Sequence, residues 1–229
     1  MKETDMGEYH DLTFPNEDSH YRAARDALLT EELELRRQAE KVSALRRALP
    51  LGGAIKEDYV FQNLSGGDTR LSELFSDKSS DLLIYGFMYE PGGEACPICT
   101  SFMDSVNGGV LHMEQYFNFA VTVKAAAEEL KSHADARNWS NLTLLSSGKT
   151  TFNFDYKAED EDGRQGMMLN AFRKTDDGIF HTWAFELFSA LKDRNRDPRH
   201  PDRIAPLWSI FDVTLDGRPA DWNPAYSYD

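Results

Sequence analysis

The chain has 229 residues, of which 41% are hydrophobic and 12% aromatic, and this composition excludes an intrinsically disordered protein. Its 25 Lys and Arg against 39 Asp and Glu leave a formal net charge of −14, which argues against binding to the nucleic-acid backbone. No secretory signal or run long enough to cross a bilayer is visible, so we expect a soluble, cytoplasmic protein with no membrane partner.

The N-terminal region is predicted to form a loose polar arm over residues 1–16 and a helix over residues 18–49. Thr30, followed by two glutamates, is predicted to cap a new helix within that region. Pro50 and the glycines that follow it end the helical pattern. An apolar stripe recurs every seventh residue and predicts a face that packs on its own domain or on a second copy of the chain. Its members are Leu28, Leu35, Val42 and Leu49.

The middle of the chain alternates predicted strands and helices. Strands are expected at residues 58–64, 81–89, 119–123 and 142–146, and helical segments at 71–75, 97–106, 111–117 and 125–137. Residues 168–174 and 179–185 are predicted to form a β-hairpin, because an Asp-Gly pair separates them. This order predicts a sheet with parallel inner strands and an antiparallel edge.

Two further segments are predicted from their residue patterns. Phe152, Phe154 and Tyr156 alternate at a period of two, which favours a packed strand. A short element is expected at residues 207–215, within a proline-containing tail. The acidic run at residues 159–162 lacks the spacing of a calcium loop and is predicted to be a solvated loop.

The Cys96-Pro97-Ile98-Cys99 motif directly follows the predicted buried strand and opens a helix. At the N-cap, the sulfur of Cys96 would lie near unpaired backbone N–H groups, which lower the pKa of a thiol. Pro97 suits the first helical position, where no N–H is needed. Cys99 lies one turn later on the same face, so it can resolve a mixed disulfide formed at Cys96.

The surroundings of this motif allow more than one interpretation. Negative charge on Glu90, Glu94 and Asp104 acts to raise the pKa of Cys96, so we expect only moderate stabilisation of its thiolate. A CxxC between a buried strand and a helix is typical of thioredoxin-like redox motifs. An inert buried pair and a zinc site remain alternatives, although zinc needs two more ligands and nothing links His112 to His181.

Other side chains are candidates for the border of a redox site. His181 and Trp183 are candidates on the predicted hairpin, where packed positions are the commoner role. Arg164 and Arg173 are candidates for positive charge near the thiolate.

Six segments together resemble a known family. They are LRRALP at 45–50, DYVF at 58–61, LSELF at 71–75, CPIC at 96–99, FNFD at 152–155 and FHT at 180–182. In this order, over residues 30–215, they resemble the DUF899 family, a thioredoxin-like group of predicted dithiol–disulfide oxidoreductases. The resemblance implies an α/β fold with a thioredoxin-like mixed sheet and flanking helices. It also implies that Cys96 and Cys99 are the catalytic pair.

The sequence departs from better-known relatives of this fold. No proline occurs between Pro97 and Pro198, so the proline that thioredoxins place opposite the CxxC is missing. The peroxiredoxin pattern Pro-x-x-x-Thr/Ser-x-x-Cys is also absent, because Tyr89 and Gly93 stand at its first two fixed positions.

These patterns predict a thiol–disulfide oxidoreductase with three regions. Residues 1–50 are expected to be an arm and helix, 51–191 the thioredoxin-like domain, and 192–229 a C-terminal extension packed on it. We expect a thiol or disulfide substrate, no metal or cofactor, and a homodimer through the N-terminal helix. A thiol peroxidase using the same cysteines and a non-catalytic binding module remain the alternatives.

Overall fold

The computed structural model describes residues 10, 12–191, 201, 203–218 and 222–228. Most of the predicted N-terminal arm, as well as Pro198, lies outside these residues. The chain divides into two compact units, Met1–Leu49 and Pro50–Asp229. No helix among the described residues combines the length and the apolar character that crossing a membrane would require.

The first unit contains one long helix, α1, at Ser19–Arg47. It begins where the Asp18 carboxylate accepts a hydrogen bond from the Tyr21 N–H at 2.7 Å. The predicted helix start at Thr30 is wrong, because the Thr30 hydroxyl donates to the Asp26 carbonyl within the helix and leaves α1 unbroken. No α1 side chain is buried, and Leu28 and Leu35 are 56% and 63% exposed.

The second unit is built on a mixed sheet. Within the described residues its strands are β1 Val60–Asn63, β2 Asp68–Arg70, β3 Asp81–Gly86, β4 Asn118–Val123, β5 Thr143–Ser146, β6 Met168–Thr175 and β7 Gly178–Ala184. Their order across the sheet is β2-β1-β5-β4-β3-β6-β7. Strands β3, β4 and β5 are parallel, whereas β6 and β7 are antiparallel, as predicted. The β1–β2 hairpin at the other edge was not predicted, because β2 is short and polar.

Helices flank this sheet. They are α2 Pro97–Asn107, α3 Val110–Met113, α4 Ala127–Arg137, α5 Phe152–Asp155 and α6 Pro206–Phe211, with a 3-10 turn at Leu71–Leu74 and another at Glu186–Ser189. The parallel strands need crossover helices, which α2 and α4 supply. One apolar cluster contains Tyr85, Cys99 and Leu130, and a second contains Phe61, Ile84 and Phe172. Strand β3 contributes to both clusters, which explains its nearly continuous apolar sequence.

The predicted hairpin between β6 and β7 is confirmed. Thr175 pairs with Gly178 at its closed end, and Gly178 has a φ of +133°. Glycine is favoured there because a side chain strains the backbone in this region. The hairpin forms the antiparallel edge next to β3.

The prediction of a strand at Phe152, Phe154 and Tyr156 is wrong, because this segment forms the short helix α5. Phe152 and Tyr156 are four residues apart and pack together with their ring centroids at 4.8 Å, while Phe154 is exposed. A spacing of four residues suits one face of a helix as well as one face of a strand. A pattern this short therefore did not distinguish a helix from a strand.

The sheet order and the flanking helices confirm the predicted fold class, a thioredoxin-like α/β fold with an N-terminal helix. The carboxyl end of β3 and the start of α2 meet at the CPIC motif. The fold therefore places the two cysteines at a strand-to-helix junction next to the centre of the sheet.

Candidate functional site

The connection from β3 to α2 is fixed by backbone hydrogen bonds. Gly86 ends β3 beside Ala158, where an added Cβ would come within 2.5 Å of the alanine Cβ. The Gly92 N–H donates to the Glu129 carboxylate at 2.8 Å, and the Cys96 N–H donates to the Met88 carbonyl at 2.9 Å. These contacts set the position at which Cys96 enters the helix.

Cys96 is the N-cap residue of α2, as predicted, and Pro97 occupies the first turn. The Cys96 Sγ accepts a hydrogen bond from the Cys99 N–H at 3.5 Å. A hydrogen bond from the Cys99 thiol, followed by those from the Cys99 and Ile98 amides, lowers the pKa of Cys96 to about 6 despite its partial burial. The thiolate is therefore the main form of Cys96 at neutral pH.

Cys99 lies behind Cys96 and is fully buried. Its hydrogen bond to the Cys96 sulfur and its burial raise the pKa of the Cys99 thiol well above the ordinary value. The Tyr85 hydroxyl donates to the Cys99 Sγ at 3.2 Å and acts in the opposite direction. The two sulfurs thus differ in both exposure and acidity.

Sequence reasoning missed Tyr85. This residue lies on β3 and is buried, and a buried tyrosine hydroxyl usually has a hydrogen-bond partner. Its apolar neighbours on the strand signalled burial, but the sequence did not show that the partner is a cysteine sulfur on α2.

A second group of polar side chains supports the start of α2. The Thr100 hydroxyl donates to the Cys96 carbonyl at 2.9 Å and lies 3.2 Å from Nε2 of His133 on α4. The His133 ring lies among aromatic rings, 5.8 Å from Tyr89 and 5.1 Å from Trp139 between ring centroids. Burial lowers the pKa of His133, so the neutral imidazole is favoured. This group had no motif in the sequence.

The carboxylate of Asp104 was expected to oppose formation of the Cys96 thiolate. It accepts hydrogen bonds from the Trp139 Nε1–H at 2.8 Å and from the Arg137 guanidinium. Its negative charge is therefore compensated by a neighbouring cation. Hydrogen bonds from α2 determine the direction of the Cys96 pKa shift instead.

The other candidate residues lie in different environments. Arg173 pairs with Asp81 at the start of β3, the strand end opposite the CPIC motif, and Arg164 pairs with Asp160. His181 contacts Asn170 Oδ1 at 3.0 Å through Nε2 and packs on the second apolar cluster. Trp183 packs against the first cluster, which contains Cys99. The two arginines are thus engaged by carboxylates and not by the cysteines.

Two places in the chain contain potential metal ligands, the cysteine pair and the acidic run at residues 159–162. No group of three or more His, Cys, Asp and Glu in the described part of the chain is arranged to hold a metal ion. In the acidic loop, Asp160 accepts backbone hydrogen bonds from Asp162 and Arg164, and Glu159 pairs with Lys124 at 2.8 Å. These carboxylates stabilise their own loop.

The C-terminal segment lies beside the cysteine motif. The sequence predicted that this segment packs on the domain, but not that it lies near the cysteines. The Arg137 guanidinium donates to the Tyr226 carbonyl at 2.8 Å, and the Tyr226 ring lies 6.1 Å from His133 between centroids. Burial raises the pKa of Tyr226, and the charge on Cys96 contributes in the same direction. Residues more than a hundred positions apart thus share the environment of Cys96.

The comparisons with known proteins give one family and a set of similar structures. A model of the family described as "Bacterial protein of unknown function (DUF899)" matches residues 12–228. A cysteine-to-serine mutant of PrxQ from Xylella fastidiosa is 11% identical with a TM-score of 0.48, and the match covers 71% of this chain and 96% of that one.

A peroxiredoxin-like protein from Aquifex aeolicus is 15% identical with a TM-score of 0.43, and that match covers 59% and 75% of the two chains. A search of curated proteins found no match.

Proposed function

We propose that this chain, which belongs to the DUF899 family of bacterial proteins of unknown function, is a dithiol–disulfide oxidoreductase. The Cys96 thiolate attacks one sulfur of a substrate disulfide, which breaks the S–S bond, releases one thiolate and leaves a mixed disulfide on Cys96. Cys99 then loses its thiol proton to solvent, and its thiolate attacks the Cys96 sulfur and releases the second substrate thiolate, which takes up a proton from solvent. The chain is left with a Cys96–Cys99 disulfide, and the substrate has gained two electrons.

The observation that carries this proposal is the asymmetry of the pair. The sulfur of Cys96 is partly exposed at the N-cap of α2, whereas Cys99 is buried one turn behind it. The first position suits a nucleophile that must meet a substrate, and the second suits a thiol that acts only after the mixed disulfide has formed.

The reduced pair must be regenerated after each cycle. An external dithiol can do this by reversing the same two exchange steps, with its own thiols oxidised to a disulfide. A reducing compartment such as the cytoplasm suits this cycle, and we propose that location.

Two serine variants test the order of the steps. We expect Cys96→Ser to lose all exchange with bis(hydroxyethyl) disulfide, because the nucleophile is gone. Cys99→Ser should accumulate the mixed disulfide on Cys96, observed by intact-protein mass spectrometry. Ser132→Ala, on the exposed face of α4, is the control and should behave like the unmodified chain. Full exchange by Cys96→Ser, or no adduct on Cys99→Ser, would contradict the mechanism.

The same pair would serve a thiol peroxidase, in which Cys96 becomes a sulfenic acid. We favour disulfide exchange because the peroxiredoxin pattern Pro-x-x-x-Thr/Ser-x-x-Cys is absent, with Tyr89 and Gly93 at its first two fixed positions. Reaction of the reduced chain with hydrogen peroxide distinguishes the two activities. Sulfenic acid formation that is faster than disulfide exchange would favour the peroxidase.

The non-catalytic alternative makes a different prediction for the same experiments. A binding module needs no reactive sulfur, so both thiols of the folded chain would resist alkylation and disulfide exchange. The partly exposed N-cap position of Cys96 supports the enzyme instead.

A further inference from the structure

The hydroxyl of Thr100 lies between the N-cap carbonyl of α2 and a histidine on α4. Its oxygen is 2.9 Å from the Cys96 carbonyl oxygen and 3.2 Å from Nε2 of His133. Thr100 is only 1% exposed, so solvent does not replace either contact. A path of side chains therefore joins α4 to the residue that carries the nucleophilic sulfur.

The chemistry of the groups on this path fixes which of them donates. A carbonyl oxygen can only accept, so the single hydrogen of the Thr100 hydroxyl lies on the contact with Cys96. The hydroxyl oxygen then accepts a hydrogen bond, and Nε2 of His133 must donate it. Burial lowers the pKa of His133, which favours the neutral imidazole. The charged groups that act on it, Arg137 and Asp104, pair with each other.

The carbonyl at the end of this path and the reactive sulfur belong to the same residue, Cys96. The carbonyl accepts the first backbone hydrogen bond of α2, from the Thr100 N–H at 2.9 Å, and the Thr100 hydroxyl adds a second. The sulfur accepts hydrogen bonds from the amides of Ile98 and Cys99. Because the first turn of a helix frays, a tie to α4 keeps this sulfur and these amides in the orientation that their hydrogen bonds need.

We propose that His133 is a positioning residue of the redox pair, which acts through Thr100 to hold the N-cap of α2 in the geometry that stabilises the Cys96 thiolate. The proposal rests on the proposed function and adds to it the residue that adjusts its nucleophile. In the oxidised chain the Cys96 sulfur is bonded to Cys99 and carries no charge. The tie to α4 therefore stabilises the reduced pair more than the disulfide, and His133 raises the reduction potential of the pair.

Two pairs of variants separate the hydrogen bonds of the path from packing. His133→Phe keeps an aromatic ring beside Tyr89 and Trp139 but has no donor. His133→Gln supplies an amide donor without the ring. Thr100→Val removes the hydroxyl and keeps the branched side chain, whereas Thr100→Ser keeps the hydroxyl. The Thr100 pair tests the same path if a variant of His133 does not fold.

The first measurement is the pH at which alkylation by iodoacetamide is half-maximal, followed at Cys96 by peptide mass spectrometry. We expect His133→Phe and Thr100→Val to raise this pH by about half a unit to one unit, because each removes one hydrogen bond of the path. His133→Gln and Thr100→Ser should stay close to the unmodified chain. The double variant His133→Phe with Thr100→Val should show no larger rise than either change alone, since both break the same path.

The second measurement is the equilibrium of the pair with dithiothreitol. A rise of one unit in the pKa of Cys96, from about 6, should favour the disulfide about five-fold at pH 7. His133→Phe and Thr100→Val should therefore be more reducing than the unmodified chain, and His133→Gln and Thr100→Ser should not.

Ser105→Ala is the matched control for the loss of a hydroxyl from α2. The Ser105 hydroxyl donates to the Ser101 and Phe102 carbonyls of the same helix, so its removal should leave both measurements unchanged. Lower melting temperatures of His133→Phe and Thr100→Val with no change in the alkylation pH would overturn the proposal, and so would equal shifts in the Phe and Gln variants of His133. The expected shifts in a chain that exchanges no disulfide would support the role of His133 and overturn the proposed function.

Discussion

The acidity of Cys96 follows from the hydrogen bonds that its sulfur receives at the start of α2. These bonds favour the thiolate, so reactivity should appear as the pH rises through about 6. We expect the rate of Cys96 alkylation by iodoacetamide to reach half its maximum near that pH and to be nearly constant above pH about 7.5.

The control for this measurement is the denatured chain, whose thiols have ordinary pKa values and whose alkylation rate should still rise at pH about 8.5. A folded chain with the same profile as the denatured one would contradict the assigned role of the α2 N-cap.

Tyr85 acts on the second cysteine. We expect Tyr85→Phe to slow attack by Cys99 about ten-fold, because a lost hydrogen bond to a charged group is worth about 1.5 kcal/mol or more. The pH at which this step is half-maximal should also rise, since the tyrosine hydroxyl lowers the pKa of Cys99. Stopped-flow measurement of mixed-disulfide decay over a range of pH provides both values.

Tyr59→Phe is the matched control for that variant. The Tyr59 hydroxyl is also on a buried ring and donates to Asp155 at 2.9 Å, but it belongs to the second apolar cluster. Its loss should alter stability without moving the pH profile of mixed-disulfide decay. Equal profiles for the two variants would limit Tyr85 to packing.

At the scale of elements, the predictions that rest on strong local signals are confirmed. The apolar run of β3, the Asp-Gly turn before β7 and the proline at the start of α2 each act over a few neighbouring residues. The failures at Thr30 and at Phe152–Asp155 came from local signals that two conformations can satisfy. At Phe152–Asp155 packing chose the helix, because propensity differences are small beside the burial of an aromatic side chain. At Thr30 no burial is involved, and the hydroxyl is satisfied by a carbonyl of the preceding helical turn.

Helix α1 presents its apolar stripe on the surface, with Leu28 and Leu35 more than half exposed. We propose that a second copy of the chain covers this stripe, because a seven-residue spacing suits helix pairing. The double variant Leu28→Glu with Leu35→Glu should then halve the mass measured by sedimentation equilibrium. Leu111→Glu, an exposed leucine of the second unit, should leave the mass unchanged. A mass that is the same for all three chains would rule out pairing through α1.

At the scale of the whole molecule, the described part of the C-terminal region, residues 203–218 and 222–228, contacts residues near the cysteine motif. Trp208 and Pro224 lie beside Ile98 and Phe102 of α2, and the Tyr226 carbonyl accepts a hydrogen bond from Arg137. Within the described residues 203–218 and 222–228, these contacts support the proposed packing of a C-terminal extension on a domain at residues 51–191.

The sequence by itself predicted the fold class and singled out the two cysteines as the candidate redox pair. It could do so because strand, helix and CxxC signals act between residues that are close along the chain. Tertiary structure alone decided that Tyr85 donates to Cys99, that His133 contacts Thr100, and that Arg137 donates to the Tyr226 carbonyl. These pairs are distant in the sequence, and each side chain has many partners of suitable chemistry. Only the packing of β3, α2, α4 and the C-terminal region selects the partner that each one meets.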